Sequence, residues 1–452
     1  MSGPDRLRKS SRRAIPAVGK FLQKFAATDL PRPLVTQIVR REVARERSGL
    51  TNEDLSKRVA KALEELRRTR LQPVINGTGI LLHTNFGRAP LPESALEITA
   101  KIATGYNNLE FDLANGTRGG RGSYCERTLA LLCGAEAALV VNNCAAALVL
   151  IARHFTRAKP EIIISRGEMV QIGGEFRVGE ILLSLGAKLR EVGATNKTAL
   201  ADYERAITKE TALILKVHRS NFFMDGFVAT PSPNELARLA KRKRIPFVED
   251  LGSGAILGTE TFSLGAHEPT PNESLRAGAD LVCFSGDKLF GGPQAGIIAG
   301  KARFVRVLRR DPLFRALRCD KLILAALQAT TELHLRRQSD CIPLFQLMGT
   351  PFGDLQKRAR KIIAALRPGI ETTIEETESE IGGGALPRAR IKSIALVFRP
   401  RDFSVDELAT RLREMKLPVI GYVARKTFRL DLRTVFPEED ASLIGALRAA
   451  FA

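Results

Sequence analysis

The chain has 452 residues, 44% of them hydrophobic, which suits a folded protein of two or three domains rather than a disordered one. No apolar run approaches the roughly 18 residues needed to cross a bilayer, Ala145–Ala152 being the longest, and the basic N-terminus lacks the apolar stretch of a secretory signal. A net charge of +21 and a pI near 10.1 point to a polyanionic partner.

Charge is concentrated early, in Arg6–Arg13 and in the segment from Lys57 to Arg70. Between and around these clusters, Ile15–Leu22, Leu34–Ser48 and Asn52–Arg68 carry apolar residues at three- and four-residue spacing, which predicts helices. Thr51 or Asn52 is the expected N-cap of the third. Residues 1–70 therefore read as a small basic helical domain, closed by Leu71-Gln72-Pro73.

From about 71 to 330, short β-rich runs alternate with helical segments. The expected strands are Ala138–Val141, Glu161–Ser165, Lys188–Val192, Ala212–Val217, Pro246–Glu249, Asp280–Phe284 and Ala295–Ala299. Such alternation predicts an α/β domain with a mostly parallel sheet, its site beyond the carboxyl ends of the strands. Residues 331–452 alternate again and read as a smaller α/β domain. It has a helix to about Leu366, a loop at Gly382-Gly383-Gly384, and strands at Ile391–Phe398 and Arg429–Asp431. Helices follow at Ser404–Met415 and Glu438–Ala450. The six cysteines show no C-x-x-C spacing and read as reduced core residues of a cytoplasmic protein, with no metal site.

Three strand ends carry chemistry. Val140-Val141-Asn142-Asn143-Cys144-Ala145-Ala146 is a strand running into a small-residue helix start, whose free N–H groups suit a phosphate. Pro246–Glu249 runs into Asp250, a carboxylate placed to pair with a pyridinium nitrogen. Asp280–Phe284 runs into Ser285-Gly286-Asp287-Lys288. Lysine is rarely buried, and one directly after a core strand suits covalent attachment of a carbonyl, with Ser285 as a phosphate ligand. Phosphate turn, then aspartate, then Ser-x-x-Lys is the order of pyridoxal-phosphate (PLP) enzymes of the aspartate-aminotransferase-like type. The cofactor expected is pyridoxal 5'-phosphate, held by Lys288, Asp250, Ser285, Asn142, Asn143 and Cys144.

Longer motifs narrow the reading. They are Ile75–Leu91, Asn108–Leu113, Ser165–Glu168, Ile172-Gly173-Gly174, Glu191-Val192-Gly193, Thr195–Thr198, Lys216-Val217-His218, Asp250–Gly254, Ser285–Lys288 with Gly291–Gly296, and Arg315–Lys321; Ala14-Ile15-Pro16 adds to them. Together the chain resembles the bacterial selenocysteine synthases, the L-seryl-tRNA(Sec) selenium transferases, over essentially its whole length. The resemblance implies a fold type I PLP domain with a tRNA-binding N-terminal domain at 1–70. It implies conversion of seryl-tRNA(Sec) to selenocysteinyl-tRNA(Sec) with selenophosphate, through an aminoacrylyl-tRNA, in the cytoplasm, by a homo-oligomer of dimers assembled into a ring, a decamer.

It further implies Lys288 as the catalytic amine and Arg88, Arg315 and Arg318 as ligands of the anionic selenium donor, a role that suits the guanidinium fork. Asp287 either orients a reacting group or caps the turn, and His218 either approaches the cofactor or sits satisfied in the core. The chain departs from the family pattern at Ala194, Cys144, Tyr124-Cys125-Glu126, Arg219 and Phe222. A lyase or ammonia-lyase acting on a small amino acid or amino-sugar phosphate is the alternative on the same scaffold, and an inert tRNA-binding protein is the alternative of another class.

Overall fold

The computed structural model describes residues 18–48, 54–172, 176–262 and 264–452, and the chain forms two compact units, 1–73 and 74–452. Arg6–Arg13, Ala14-Ile15-Pro16, the Thr51/Asn52 cap and Gly173-Gly174 lie outside the described residues. Among those residues no helix is long and apolar enough to cross a membrane.

The first unit contains three helices, α1 (Val18–Gln23), α2 (Arg32–Arg47) and α3 (Leu55–Arg68). Phe21, Val35, Val39, Val43, Val59 and Leu63 meet in its core. The start of α3 corrects the expected cap: the Asp54 carboxylate accepts from the Lys57 N–H, so the helix begins three residues later than the apolar pattern suggests. Glu42 is buried between Arg41 and Arg58, 2.9 and 3.4 Å away, which neutralises a charge at the α2–α3 contact. Arg40, Arg41, Arg47, Lys57 and Lys61 remain exposed.

The second unit is built on a seven-stranded sheet: β1 (Ala137–Val141), β2 (Glu161–Ser165), β3 (Lys188–Val192), β4 (Thr211–Val217), β5 (Phe247–Gly252), β6 (Leu281–Ser285) and β7 (Gly296–Gly300). Its spatial order is β1-β7-β6-β5-β4-β2-β3, and only β7 runs antiparallel. All but the edge strand β3 are near-continuous apolar runs because both faces are covered. Val140, Ile163, Ile214, Val282 and Phe284 face the helices Ser123–Cys133, Pro233–Lys243 and Lys321–Leu335. Their alternating neighbours Leu139, Val141, Ile164, Leu215 and Cys283 face Cys144–Thr156, Val178–Ser184 and Ala302–Arg310.

A smaller antiparallel sheet follows, β8 (Thr372–Glu380), β9 (Arg390–Phe398), β10 (Tyr422–Ala424) and β11 (Thr427–Asp431), in the order β8-β9-β11-β10. Helices Phe352–Ala365, Val405–Arg413 and Asp440–Ala450 cover one face. Strands β8 and β10 escape the sequence reading. As edge strands they carry charged or exposed side chains such as Glu376, Glu378 and Val423, which mask the alternation that marks a half-buried strand. Cys341 is a second correction: it is exposed on a short turn, while Cys125, Cys133, Cys283 and Cys319 are buried and Cys144 is intermediate.

The segment from Ile75 to Ala89 straps the layers of this unit together. Ile75–Asn76 pairs in parallel with Val419–Ile420, Leu82 N–H donates to Ile381, and Ala89 N–H donates to the Asp287 carbonyl.

Candidate active site

The carboxyl ends of β1, β6, β5 and β4 and the start of β7 converge on one place, as the sheet topology requires. Lys288 follows β6 by three residues and is 4% exposed. Among the described residues its Nζ makes no hydrogen bond or ion pair. Burial pulls its pKa below the ordinary lysine value, and Arg88 adds to this, while Cys144, Asp250 and Asp287 oppose. An unpartnered buried amine with a depressed pKa suits condensation with a carbonyl.

Glycines keep the amine accessible. A Cβ on Gly384 would stand 2.9 Å from Lys288 Nζ, and one on Gly252 would stand 3.8 Å from it and 3.2 Å from Ser220 Oγ. Gly384 belongs to the Gly382-Gly383-Gly384 loop, whose three residues are all left-handed, with φ of 73°, 58° and 85°. Gly384→Ala is therefore expected to weaken PLP binding to the apoprotein about tenfold through backbone strain and crowding of Nζ, read by spectroscopic titration. Unchanged affinity would show that the loop can retreat from the lysine.

Asp250 is aimed by a local irregularity. In the β5–β6 register Asp250 faces Cys283 but Gly252 faces Phe284, so one residue is extruded, and Gly252 takes φ +64° to do it. The carboxylate ends up buried, accepting from Gly252 N at 3.1 Å and from Cys144 Sγ at 3.4 Å. Burial raises its pKa, against the Cys144 contact and the Lys288 charge. Cys144, Cys283 and Asp250 present ligand atoms within 4.8 Å of one another. Two thiols thus pack around the carboxylate on the sheet face that carries Val141 and Val217.

Behind β1, Asn143 caps the helix Cys144–Thr156 through its side chain, which accepts from Ala146 N at 2.8 Å. The first turn of that helix offers backbone N–H groups beside Asp250. Strand β7 passes so close beneath that a Cβ on Gly296 would collide with the Asn143 carbonyl. Asn142, Asn143, Cys144, Asp250, Ser285 and Lys288 are thus gathered at one end of the sheet. Buried amine, buried carboxylate, helix N-terminus and glycine-cleared space are the complement that PLP requires, and the residues fit it.

Arg88 reaches the same place from the strap. Its Nη1 contacts both Asp287 carboxylate oxygens, at 3.1 and 2.9 Å, and its backbone is left-handed at φ 63°, an uncommon conformation for a non-glycine residue. Asp287, 5% exposed, thereby orients Arg88 beside Lys288. His218 leaves β4 with its N–H on the Asp250 carbonyl and its Nε2 3.1 Å from the buried Glu268 carboxylate. Arg315 and Arg318 line a separate cleft of about 200 Å³ with Glu110, Arg118 and Arg121. Arg318 is tied there to Glu110 at 3.3 Å, although the adjacent Leu317 carbonyl accepts from Asn142 N. Among the described residues neither arginine contacts Arg88, Asp287 or Lys288 within this chain.

Several participants carry no signal in the sequence. Ser220, buried next to Gly252, and Ser253, whose Oγ is buried without a partner among the described residues, look ordinary in their runs. Glu268 and Gly384 lie far in sequence from the groups they approach.

The sequence profile of the L-seryl-tRNA selenium transferases matches residues 74–436. The L-seryl-tRNA(Sec) selenium transferase of Geotalea daltonii is 43% identical over 96% of this chain and 98% of its own, and that of Carboxydothermus hydrogenoformans is 41% identical over 94% and 95%. Among solved structures, D-glucosaminate-6-phosphate ammonia-lyase matches with a TM-score of 0.57 at 19% identity, covering 89% of this chain and 99% of that one, which shows a shared fold type I architecture. With that fold, this arrangement around Lys288 and over 40% identity along nearly the whole length, the chain belongs to the L-seryl-tRNA(Sec) selenium transferase family.

Proposed function

We propose that this protein converts seryl-tRNA(Sec) to selenocysteinyl-tRNA(Sec), taking selenium from selenophosphate, with pyridoxal 5'-phosphate bound at Lys288. The observation that carries the reading is the buried, unpartnered Lys288 amine beside an arginine already oriented by Asp287. Bound there, PLP supplies an electron sink for negative charge at the seryl Cα. The Lys288 Nζ is placed to take the Cα proton, and burial, which lowers its pKa below the ordinary lysine value, favours the neutral amine that this role needs. Asp250 would hold a proton on the ring nitrogen, and the N-terminus of Cys144–Thr156 with Ser285 would take the cofactor phosphate. The Gly382–Gly384 loop, backed by Ile80 and Leu82, packs against Lys288 through Gly384 and would limit the access of water to the reacting carbon.

Arg88 is proposed to hold the anionic selenium donor. Exchange of Asp287 for a phosphate oxygen would keep the guanidinium paired throughout. Arg315 and Arg318 are proposed to serve the same anion, supported by the link between their segment and Asn142. An ester-linked substrate has no free α-carboxylate, and the buried arginines of the small-sheet layer are committed elsewhere. Arg433 donates to the carbonyls of Leu347, Met348, Thr350 and Lys392, and Arg429 binds Glu375.

The basic first unit is proposed to grip the tRNA, with the exposed cations of α2 and α3 supplying phosphate contacts. A homo-oligomer of dimers, working in the cytoplasm where charged tRNA is found, completes the proposal. The test is incubation of the holoenzyme with seryl-tRNA(Sec) and selenophosphate, followed by mass analysis of the esterified amino acid. Selenocysteine on the tRNA is expected. Turnover of a free amino acid, with the charged tRNA untouched, would replace this reading by that of a lyase.

A further inference from the structure

The spacing of the cysteines along the chain gives no hint of a metal site, yet the fold brings two of them to one carboxylate. Cys283 lies on β6 in register with Asp250 of β5, and residues in register on neighbouring parallel strands point to the same face. Cys144 opens the helix that follows β1. That helix start settles onto the sheet because β7 passes beneath it as Gly296, where a Cβ would stand 3.0 Å from Cys144 N and nearer still to the Asn143 carbonyl. Cys144 Sγ comes to rest 3.4 Å from Asp250 Oδ1, and the ligand atoms of Cys144, Cys283 and Asp250 all lie within 4.8 Å of one another.

Two thiols and one carboxylate select a metal by softness. Magnesium and calcium take oxygen ligands and gain little from sulfur, whereas zinc and its heavier congener cadmium favour thiolate. Tetrahedral zinc, with Zn–S of about 2.3 Å and Zn–O of about 2.1 Å, sets a sulfur about 3.6 Å from an oxygen. The Cys144–Asp250 contact already has nearly that length. Two thiolates and a carboxylate outweigh the charge of a divalent cation, and Lys288 nearby adds little repulsion because burial favours its neutral form. Three protein ligands leave the fourth position to water, which makes the metal exchangeable rather than structural. Access is the route that PLP itself must take to Asp250, so it does not depend on any outer surface of the chain. Cys144 is also a position at which the chain departs from its family's pattern, so the trio is a property of this sequence.

We propose that Cys144, Cys283 and Asp250 of the apoprotein bind one thiophilic divalent cation, of which zinc is the type, and that this cation and PLP exclude each other. The competition rests on the reading that places PLP at Lys288 with its ring nitrogen at Asp250; the metal site does not. Binding forms two metal–sulfur bonds and one metal–oxygen bond, and the two thiol protons leave to solvent. The cation then sits where the ring nitrogen would come, and the Asp250 carboxylate cannot serve both. Loading with the cofactor thereby becomes sensitive to free zinc.

The test uses the full-length protein in a Cys341→Ser background, which removes the exposed thiol, freed of PLP and of metal. Cadmium is the first probe, read by its thiolate charge-transfer absorption in the ultraviolet and by proton release. The apoprotein is expected to take up about one cadmium per chain with release of about two protons, and the holoenzyme none at this site. Cys144→Ser, a change at the partly exposed helix start, is expected to weaken uptake about a hundredfold, with Cys283→Ser as its companion. Zinc at about a hundred times its dissociation constant is expected to raise the apparent dissociation constant of PLP about a hundredfold in the parent, and no more than about twofold in Cys144→Ser relative to that variant without zinc. Cadmium uptake unchanged in Cys144→Ser, or PLP affinity in the parent indifferent to zinc, overturns the proposal. An apoprotein that binds cadmium through both cysteines but never takes PLP at Lys288 removes the cofactor reading and the competition, and leaves the metal site standing.

Discussion

Lys288→Ala is expected to abolish the visible absorbance of the bound cofactor and to lower selenium transfer by about 10⁴-fold or more. Both effects follow from one atom. Nζ stands in the space cleared by Gly252 and Gly384, and the same atom is proposed to move the Cα proton. Loss of folding would not account for the result. Burial lowers the folded-state pKa of Lys288, so the folded apoprotein binds fewer protons than the unfolded chain between that lowered value and 10.5. Stability contributed by this group therefore rises with pH through that window, and below it the buried ammonium is a cost. Alanine removes the cost, so the apo variant is expected to melt at or above the temperature of the wild-type apoprotein at neutral pH. Lys288→Arg keeps the charge but not the chemistry, because a guanidinium does not deprotonate, and it is expected to be as inactive as alanine. Retention of the absorbance in the alanine variant would sink the assignment of Lys288.

Much of this site was legible in the sequence because its groups sit at strand ends, where a continuous apolar run stops at a polar residue. Asp250, Ser285 and Lys288 each follow such a run, and six of the eleven strands described here, those of the large sheet other than its edge strand β3, are apolar enough to be found that way. What was not legible is long-range. The motifs looked like separate matches, yet they meet in pairs. Lys216 of one binds Glu168 of another at 2.9 Å, Arg166 donates to the Gly193 carbonyl, Arg88 binds Asp287, and Arg318 binds Glu110. No spacing rule predicts such pairs, because the residues lie on different strands or loops. Gly384 is the extreme case. It stands nearly a hundred positions from Lys288, in a run that reads only as a loop, and its value lies in the absence of a side chain. Edge strand β8 was hidden by its own charges, and Asp54 was overlooked as a cap because Thr51 and Asn52 offered the same chemistry two or three residues earlier.

Asp250→Asn is expected to keep the cofactor bound and lose the rate. Lys288 and the helix N-terminus are untouched by the change, so visible absorbance is retained, which separates this variant from Lys288→Ala. The amide cannot hold a proton on the ring nitrogen as a carboxylate does, and the electron sink weakens. Breaking a buried charge-assisted pair costs about 3–5 kcal/mol, so kcat is expected to fall roughly 10²- to 10⁴-fold, with a smaller change in KM. The apoprotein supplies an independent reading. Burial raises the folded pKa of Asp250 above 3.8, so the folded apoprotein binds more protons than the unfolded chain in the window above that value. Stability contributed by this group therefore falls as pH rises through the window, and at neutral pH the buried carboxylate is destabilising. Cys144 and Cys283 offset part of that cost by packing their thiols around it. The asparagine apo variant is thus expected to melt higher than wild-type apoprotein at neutral pH, and PLP, which relieves the penalty in wild type, is expected to raise its melting temperature less. A variant with wild-type kcat would remove Asp250 from the ring nitrogen. One whose apoprotein melts lower at neutral pH would show that the two thiols and Gly252 already satisfy the carboxylate before the cofactor arrives.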